Sequence, residues 1–334
     1  MDEVSGSLDW TYKGMNTLIL ETDLVKVSIL LDKGSDIFQV IYKPLDVDVI
    51  WHSPNGYKDP KTHLERISNQ DNAFSDNYGG GWNDVFPNYG FSSSNRGTRF
   101  GSHGESALLP WECSGFQVKD GRVTSKLSLN CLRYPLQAEK TLTLQGSKFT
   151  ISEGITNTAE QEIELSWAQH IAFGEPFISS DLQIDIPGVR AITHGYEMSH
   201  ERLKRDVPFQ WPMGPGLDGT LVDLTKIPDR NMRVQEDFPI TELRSLSYGL
   251  YNPSLDLGVE LSWNGAFPYL WYWLNWGVLD YPYFGRARTL ALEPTTTTNT
   301  TGLESQIRDG TAIVLKAGEK IHGEIEMKLF RKKI

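Results

Sequence analysis

Histidine is scarce in this chain, with seven among 334 residues, and two of them stand where proton chemistry is plausible on chemical grounds. His103 lies in Gly101-Ser102-His103-Gly104-Glu105, and His170 ends the strand-like run that closes on Trp167-Ala168-Gln169-His170. A third group, Glu293, ends an apolar strand in Leu290-Ala291-Leu292-Glu293-Pro294. An imidazole with an ordinary pKa near 6.5 and a carboxyl near 4.3 divide acid and base roles close to neutrality. If the fold gathers them, the three supply a proton donor, a proton acceptor and a ligand-orienting group. Taken singly, each also has a plain structural reading: a turn carboxylate before proline, a strand-end hydrogen bonder, a loop stabiliser. The chemical reading therefore depends on convergence.

The elements that must position them are strands. Alternating or β-branched runs occur at 17–21, 25–31, 37–42, 122–132, 137–144, 148–156, 162–170, 246–251, 258–263, 269–276, 311–315 and 322–329, with turn residues between them. Spacing near ten residues predicts an antiparallel sandwich or barrel. Strands are not interleaved with helical segments, which argues against a parallel α/β sheet. Short helices are expected only at 61–68 and 301–310. With no repeat and no clear linker, the reading is one large β-sandwich domain over residues 1–334.

Gly79–Trp111 is a long, largely irregular connection rich in polar and aromatic groups, the kind of segment that tends to carry binding residues. Gly79-Gly80-Gly81 lacks a following Lys-Ser/Thr, so it is read as a tight bend allowing close approach of a ligand rather than as a phosphate loop. In 269–276, Tyr269, Trp271 and Trp273 alternate with Leu270, Tyr272 and Leu274, so one face packs the core and the other is free to stack on a ligand. Trp82 and Trp111, flanking the loop, are further stacking candidates.

Composition limits the partners. Hydrophobic residues make up 39% and aromatics 11%, enough for a substantial core. A net charge of -11 argues against nucleic acid and anionic membranes, and no apolar run is long enough to span a bilayer. Two cysteines form no CxxC pair, and no secretory leader is visible, so a cytoplasmic protein is expected. His194 and His200 lack partners at metal-ligand spacing, and no metal is expected.

Taken in order, the N-terminal hairpins, GGWNDVFPNYG, GSHGE with LLPW, WAQHIAF, LALEP and the closing KAGEKIHGEIEMKLF resemble the aldose 1-epimerase (galactose mutarotase-like) family over nearly the whole chain. The resemblance implies a β-supersandwich with an open cleft that interconverts sugar anomers without metal or other cofactor. It further implies that Glu293 accepts the proton of the anomeric hydroxyl, that His170 protonates the ring oxygen, and that His103 orients the sugar. Arg99, with Asn95-Arg96 nearby, stands where the family carries an arginine, and Trp82 and Trp271 complete the expected binding residues. The family's Asp-His dipeptide has no counterpart, since no histidine here follows an aspartate.

Three functions are compatible with these observations. The first is a carbohydrate epimerase acting on a small-molecule sugar. The second is a sugar-binding or regulatory protein that kept the cleft without turnover. The third is a carbohydrate lyase or hydrolase, which calls for a second carboxylate across the scissile bond or a catalytic tyrosine.

Overall fold

The structure, a computed structural model, describes residues 4–63 and 70–332. Two antiparallel sheets dominate it. The first runs Ser5–Tyr12, Met15–Glu21, Val25–Leu30, Asp36–Tyr42, Trp82–Val85, Ala168–Phe173, Arg288–Thr295, Tyr269–Trp276, Val234–Leu243, Gly188–Ile192 and Pro208–Gln210 from edge to edge. The second runs Gln183–Asp185, Ser247–Asn252, Leu257–Trp263, Lys320–Phe330, Lys148–Asn157, Leu136–Gln145, Arg122–Asn130 and Glu112–Lys119. The helices are short: Pro60–His63, Ala73–Asn77 and Leu303–Arg308. Positions 64–68 of the expected 61–68 helix lie outside the described residues. No helix among the described residues is long and apolar enough to cross a membrane.

The sheets stack face to face because each strand directs alternate side chains inward. Leu270, Tyr272, Leu274, Leu290 and Leu292 from the first sheet share one core with Phe149, Ile151, Val259 and Ile325 from the second. Between the sheets, the ring of Trp82 meets Phe149 edge-on at 5.9 Å. A polar network crosses this core. Asp84 Oδ1 accepts from Trp167 Nε1 (2.8 Å) and Gln169 Nε2 (2.9 Å), and its Oδ2 faces Lys140 Nζ at 3.1 Å. Lys140 and Asp84 are each under 5% exposed, so removing one partner would leave the other buried and unpaired, at about 3–5 kcal/mol. The network ties the second sheet to the two strands that carry Asn83 and His170.

The expected 162–170 strand is broken. Ile163–Leu165 pairs with Ile313–Leu315, whereas Ala168–Phe173 joins the first sheet. The crossing is held by Ser166, whose N–H donates to Pro87, and by Trp167, whose N–H donates to Thr296 Oγ1. Val234–Leu243, outside the runs expected as strands, pairs along Tyr269–Trp276. The glycine triplet serves chain packing rather than ligand approach. A Cβ on Gly80, at φ +93°, would fall 2.2 Å from the carbonyl oxygen of Trp51.

Candidate functional site

On the outer face of the first sheet, polar residues form a row across adjacent strands. Asn83 is the cross-strand partner of His170, Glu293 of Trp271, and Asp237 of Trp273, and directly opposed residues share a face. The strand carrying His170 lies beside the one carrying Glu293. Above the row is a cleft of about 330 Å³, floored by His170, Glu293, Trp271 and Asp237 and walled by Tyr78 and His103, a size at the low end of small-molecule sites. A cleft of about 410 Å³ crosses the outer face of the second sheet. Among its polar groups, Lys320 Nζ donates to Glu139 Oε2 at 3.1 Å, and His322 bonds Ser152 Oγ at 3.0 Å.

His170 Nε2 stands 3.3 Å from Glu293 Oε1. The other ring nitrogen, Nδ1, is 3.3 Å from the Tyr78 hydroxyl, and the Tyr89 hydroxyl donates to Glu293 Oε2 at 2.8 Å. Burial governs both titrations. It lowers His170 to about 3, helped by neighbouring His103. It raises Glu293 well above the usual carboxylate range, against the Tyr89 hydrogen bond and with some help from Asp237. Both shifts favour the uncharged forms. The resemblance instead calls for a protonated imidazole beside a carboxylate.

His103 reaches the cleft from a backbone kink at φ +62°. Its ring stacks on Tyr89 (5.5 Å, 15°) and meets Phe74 edge-on at 4.4 Å. Nδ1 lies 3.0 Å from the Gly90 N–H nitrogen and 3.2 Å from the Gly90 carbonyl oxygen, so the Gly90 backbone engages this nitrogen and leaves Nε2 for a ligand. Burial lowers its pKa to about 4. Gly90, at φ +104°, passes so near Thr300 that a Cβ would lie 2.1 Å from its carbonyl oxygen. Glu105 pins the same loop by accepting the backbone N–H groups of Leu132, Arg133 and Tyr134.

Of the residues singled out from sequence, His103, His170, Glu293 and Trp271 line the cleft, and Arg99 and Trp82 do not. Arg99 is 72% exposed and pairs with Asp71 at 2.7 Å. It sits in the short Thr98–Phe100 strand, whose next residue, Phe100, turns into the core. Trp82 is 2% exposed. It precedes Asn83 on its strand, so it points inward, where its Nε1 donates to Gln169 Oε1 at 2.6 Å. Trp111 is also core, with Lys140 Nζ 3.9 Å from its ring centroid.

Several cleft residues were missed. Asp237 accepts from the Tyr196 hydroxyl at 2.5 Å and from Trp271 Nε1, and burial raises its pKa. Phe74, Tyr78 and Tyr283 supply aromatic wall. Tyr89 lies inside GGGWNDVFPNYG and drew no notice beside the tryptophans. Asp237 carried no signal, because its strand was not recognised. Among the described residues, no group of three or more His, Cys, Asp or Glu is arranged to hold a metal ion.

Solved structures share this architecture at low identity, which speaks to fold alone. A candidate aldose 1-epimerase from Klebsiella pneumoniae is 14% identical with a TM-score of 0.73, over 98% of this chain and 83% of that one. A galactose mutarotase-like protein from Clostridium acetobutylicum is 13% identical with a TM-score of 0.68, over 98% of each chain. The Slr1438 protein of Synechocystis sp. PCC 6803 is 18% identical with a TM-score of 0.66, over 99% of this chain and 100% of that one. The fold is thus the galactose mutarotase-like β-supersandwich. A search of curated proteins returned no match. Residues 12–216, more than half of the chain, match the family described as a domain of unknown function, DUF4432, and the chain belongs to that family.

Proposed function

We propose that this protein is an aldose 1-epimerase-type isomerase, interconverting the α and β anomers of a sugar by general acid–base catalysis in the cleft above His170 and Glu293. The observation that carries the reading is the 3.3 Å approach of His170 Nε2 to Glu293 Oε1 on the floor of a hexose-scale cleft. The pair holds one exchangeable proton. Sugar hydroxyls donating to Glu293 favour its carboxylate, and the proton then resides on His170.

In the forward direction Glu293 takes the proton of the anomeric hydroxyl while the bond from the anomeric carbon to the ring oxygen breaks. His170 delivers its proton to that oxygen, giving the open-chain aldehyde. Rotation about the bond beside the carbonyl and reclosure by the reverse transfers yield the other anomer. The pair regains its original proton count, so the cycle balances within these two side chains. His103 Nε2 donates to a sugar hydroxyl, Asp237 accepts from others, and Trp271 offers its face to the ring's C–H surface.

The test is exchange NMR or polarimetry on freshly dissolved α-aldoses. Acceleration by the wild type, lost in Glu293→Gln and His170→Asn, supports the reading. Binding of those sugars without acceleration would instead make the protein a sugar-binding module.

A further inference from the structure

We propose that Asn83 is a positioning residue for His170, anchored from behind by the buried Lys33–Asp36 ion pair. The inference deepens the isomerase reading above and rests on it for its kinetic consequence. The polar row of the site does not end at His170. Asn83 lies directly across the strand pair from it, on the same face, with Cβ atoms ~4.5–5.5 Å apart for such partners. One strand further out, Ile37 pairs with Trp82 and points inward with it, which puts Asp36 on the same face as Asn83.

These groups are sealed from solvent. Asn83, Asp36 and Lys33 are each 0% exposed. Lys33 Nζ donates to Asp36 Oδ2, while Asp36 Oδ1 and both polar atoms of Asn83 make no well-formed hydrogen bond. Burial raises the Asp36 carboxyl above its usual range, opposed by Lys33 and then by the Asn83 amide. Elsewhere on this patch of the face the residues are Val85, Ala168 and Ala172, so an apolar side chain would pack at position 83. A buried amide and a buried ion pair are costly substitutes for it, and stability alone does not account for them.

In the proposed arrangement the Asn83 NH₂ turns toward the Asp36 carboxyl, whose ionised form Lys33 and this amide favour against burial, and the carbonyl oxygen turns toward His170. His170 is otherwise faced by Tyr78 and Phe74 from the helix, by His103 from the loop, and by Glu293 and Trp273 from the neighbouring strands. Asn83 thus places a neutral amide beside the imidazole, on the strand across from the one that carries Glu293. It orients the imidazole and favours the protonated form needed to act as the acid.

The experiment compares wild type, Asn83→Leu and Asn83→Gln by ¹⁵N NMR of the histidine rings, thermal melting, and kcat and KM on whichever aldose the wild type turns over. Asn83→Leu should change the His170 ring nitrogen shifts and lower kcat about tenfold or more with KM nearly constant. Asn83→Gln, which keeps both the amide oxygen and the NH₂, should retain wild-type-like His170 shifts and recover most of kcat. His170 shifts unchanged in Asn83→Leu would overturn the proposal, as would a loss of melting temperature with kcat intact. If the wild type accelerates no sugar, the isomerase reading fails, and the ring shifts still decide the role of Asn83.

Discussion

His170 Nε2 and Glu293 Oε1 approach to 3.3 Å in a setting where neither side chain is more than 6% exposed. At that separation and burial the two groups titrate as a pair rather than as independent sites. Burial opposes charge on each of them, which favours a neutral imidazole with the proton on the carboxyl. A ligand that donates hydrogen bonds to the carboxylate moves the proton across. The proposed catalytic cycle begins with that transfer.

Removing either member should therefore abolish turnover without unfolding the protein. His170→Asn and Glu293→Gln are each expected to lower kcat/KM by about 10²–10⁴-fold. Both should leave the circular dichroism spectrum of the β-sandwich unchanged. A variant retaining a tenth or more of wild-type activity would remove its residue from the proton transfers.

The pH profile follows from the same shifts. The active pair carries one proton, so kcat/KM should fall in acid as His170, near 3, and His103, near 4, take up a second. It should fall in alkali only above the raised pKa of Glu293. Between those limits the profile should be flat once the uncatalysed rate is subtracted. An inflection near 6.5, the ordinary histidine value, would mean that His170 titrates as a solvated side chain.

Stability should respond with opposite signs to the two kinds of group. His103 and His170 have depressed folded pKa values, so their contribution is present above about 6.5 and is lost as pH falls toward 4 and 3. Glu293 has a raised folded pKa, so its contribution is present below its unfolded value and is lost as pH rises through the folded one. Glu293→Gln, which cannot ionise and still accepts from Tyr89, should melt higher than wild type at alkaline pH, while the two nearly coincide in mild acid. Each tenfold change in proton affinity is worth about 1.4 kcal/mol, so differential scanning calorimetry at two pH values reads the effect.

What the sequence disclosed divides along physical lines. Short β-branched runs with turn residues between them mark local preference, and strands such as Lys148–Asn157 and Tyr269–Trp276 lie within a residue of where that pattern puts them. Val234–Leu243 was hidden because pairing on both flanks, not local propensity, makes it a strand, and Asp237 was hidden with it. His103, His170 and Glu293 stood out as scarce or strand-ending polar groups. Trp82 and Arg99 were misjudged for another reason. A tryptophan in a glycine-rich loop and an arginine near a histidine suggest a site, but side-chain direction is set by strand register. Trp82 alternates with Asn83, and the inward partner was taken for the outward one. Asn83 itself reads as any loop asparagine until its register opposite His170 is known.

Arg99 supplies a control for that correction. It lies 72% exposed against Asp71, and such surface pairs contribute about 0–1 kcal/mol. Arg99→Ala should leave kcat/KM within about twofold of wild type and shift stability by no more than about 0.5 kcal/mol. A rise in KM of tenfold or more would return Arg99 to the binding site.

Asp237 carries the last expectation, because its two donors decide what a substitution leaves behind. The Tyr196 hydroxyl and Trp271 Nε1 both point at its carboxylate, which leaves lone pairs for sugar hydroxyls in the cleft. In Asp237→Asn one oxygen becomes an NH₂ donor, so one of those two groups loses its acceptor and the sugar loses a charged one. Hydrogen bonds to a charged group contribute about 1.5–3 kcal/mol, equivalent to roughly tenfold to a hundredfold in affinity. In the proposed reading Asp237 holds hydroxyls and moves no proton, so the loss should appear in KM with kcat largely preserved. Tyr196→Phe, which removes one donor but keeps the carboxylate, should raise KM less. Equal losses in kcat for Asp237→Asn and Glu293→Gln would instead place Asp237 among the proton-transferring groups.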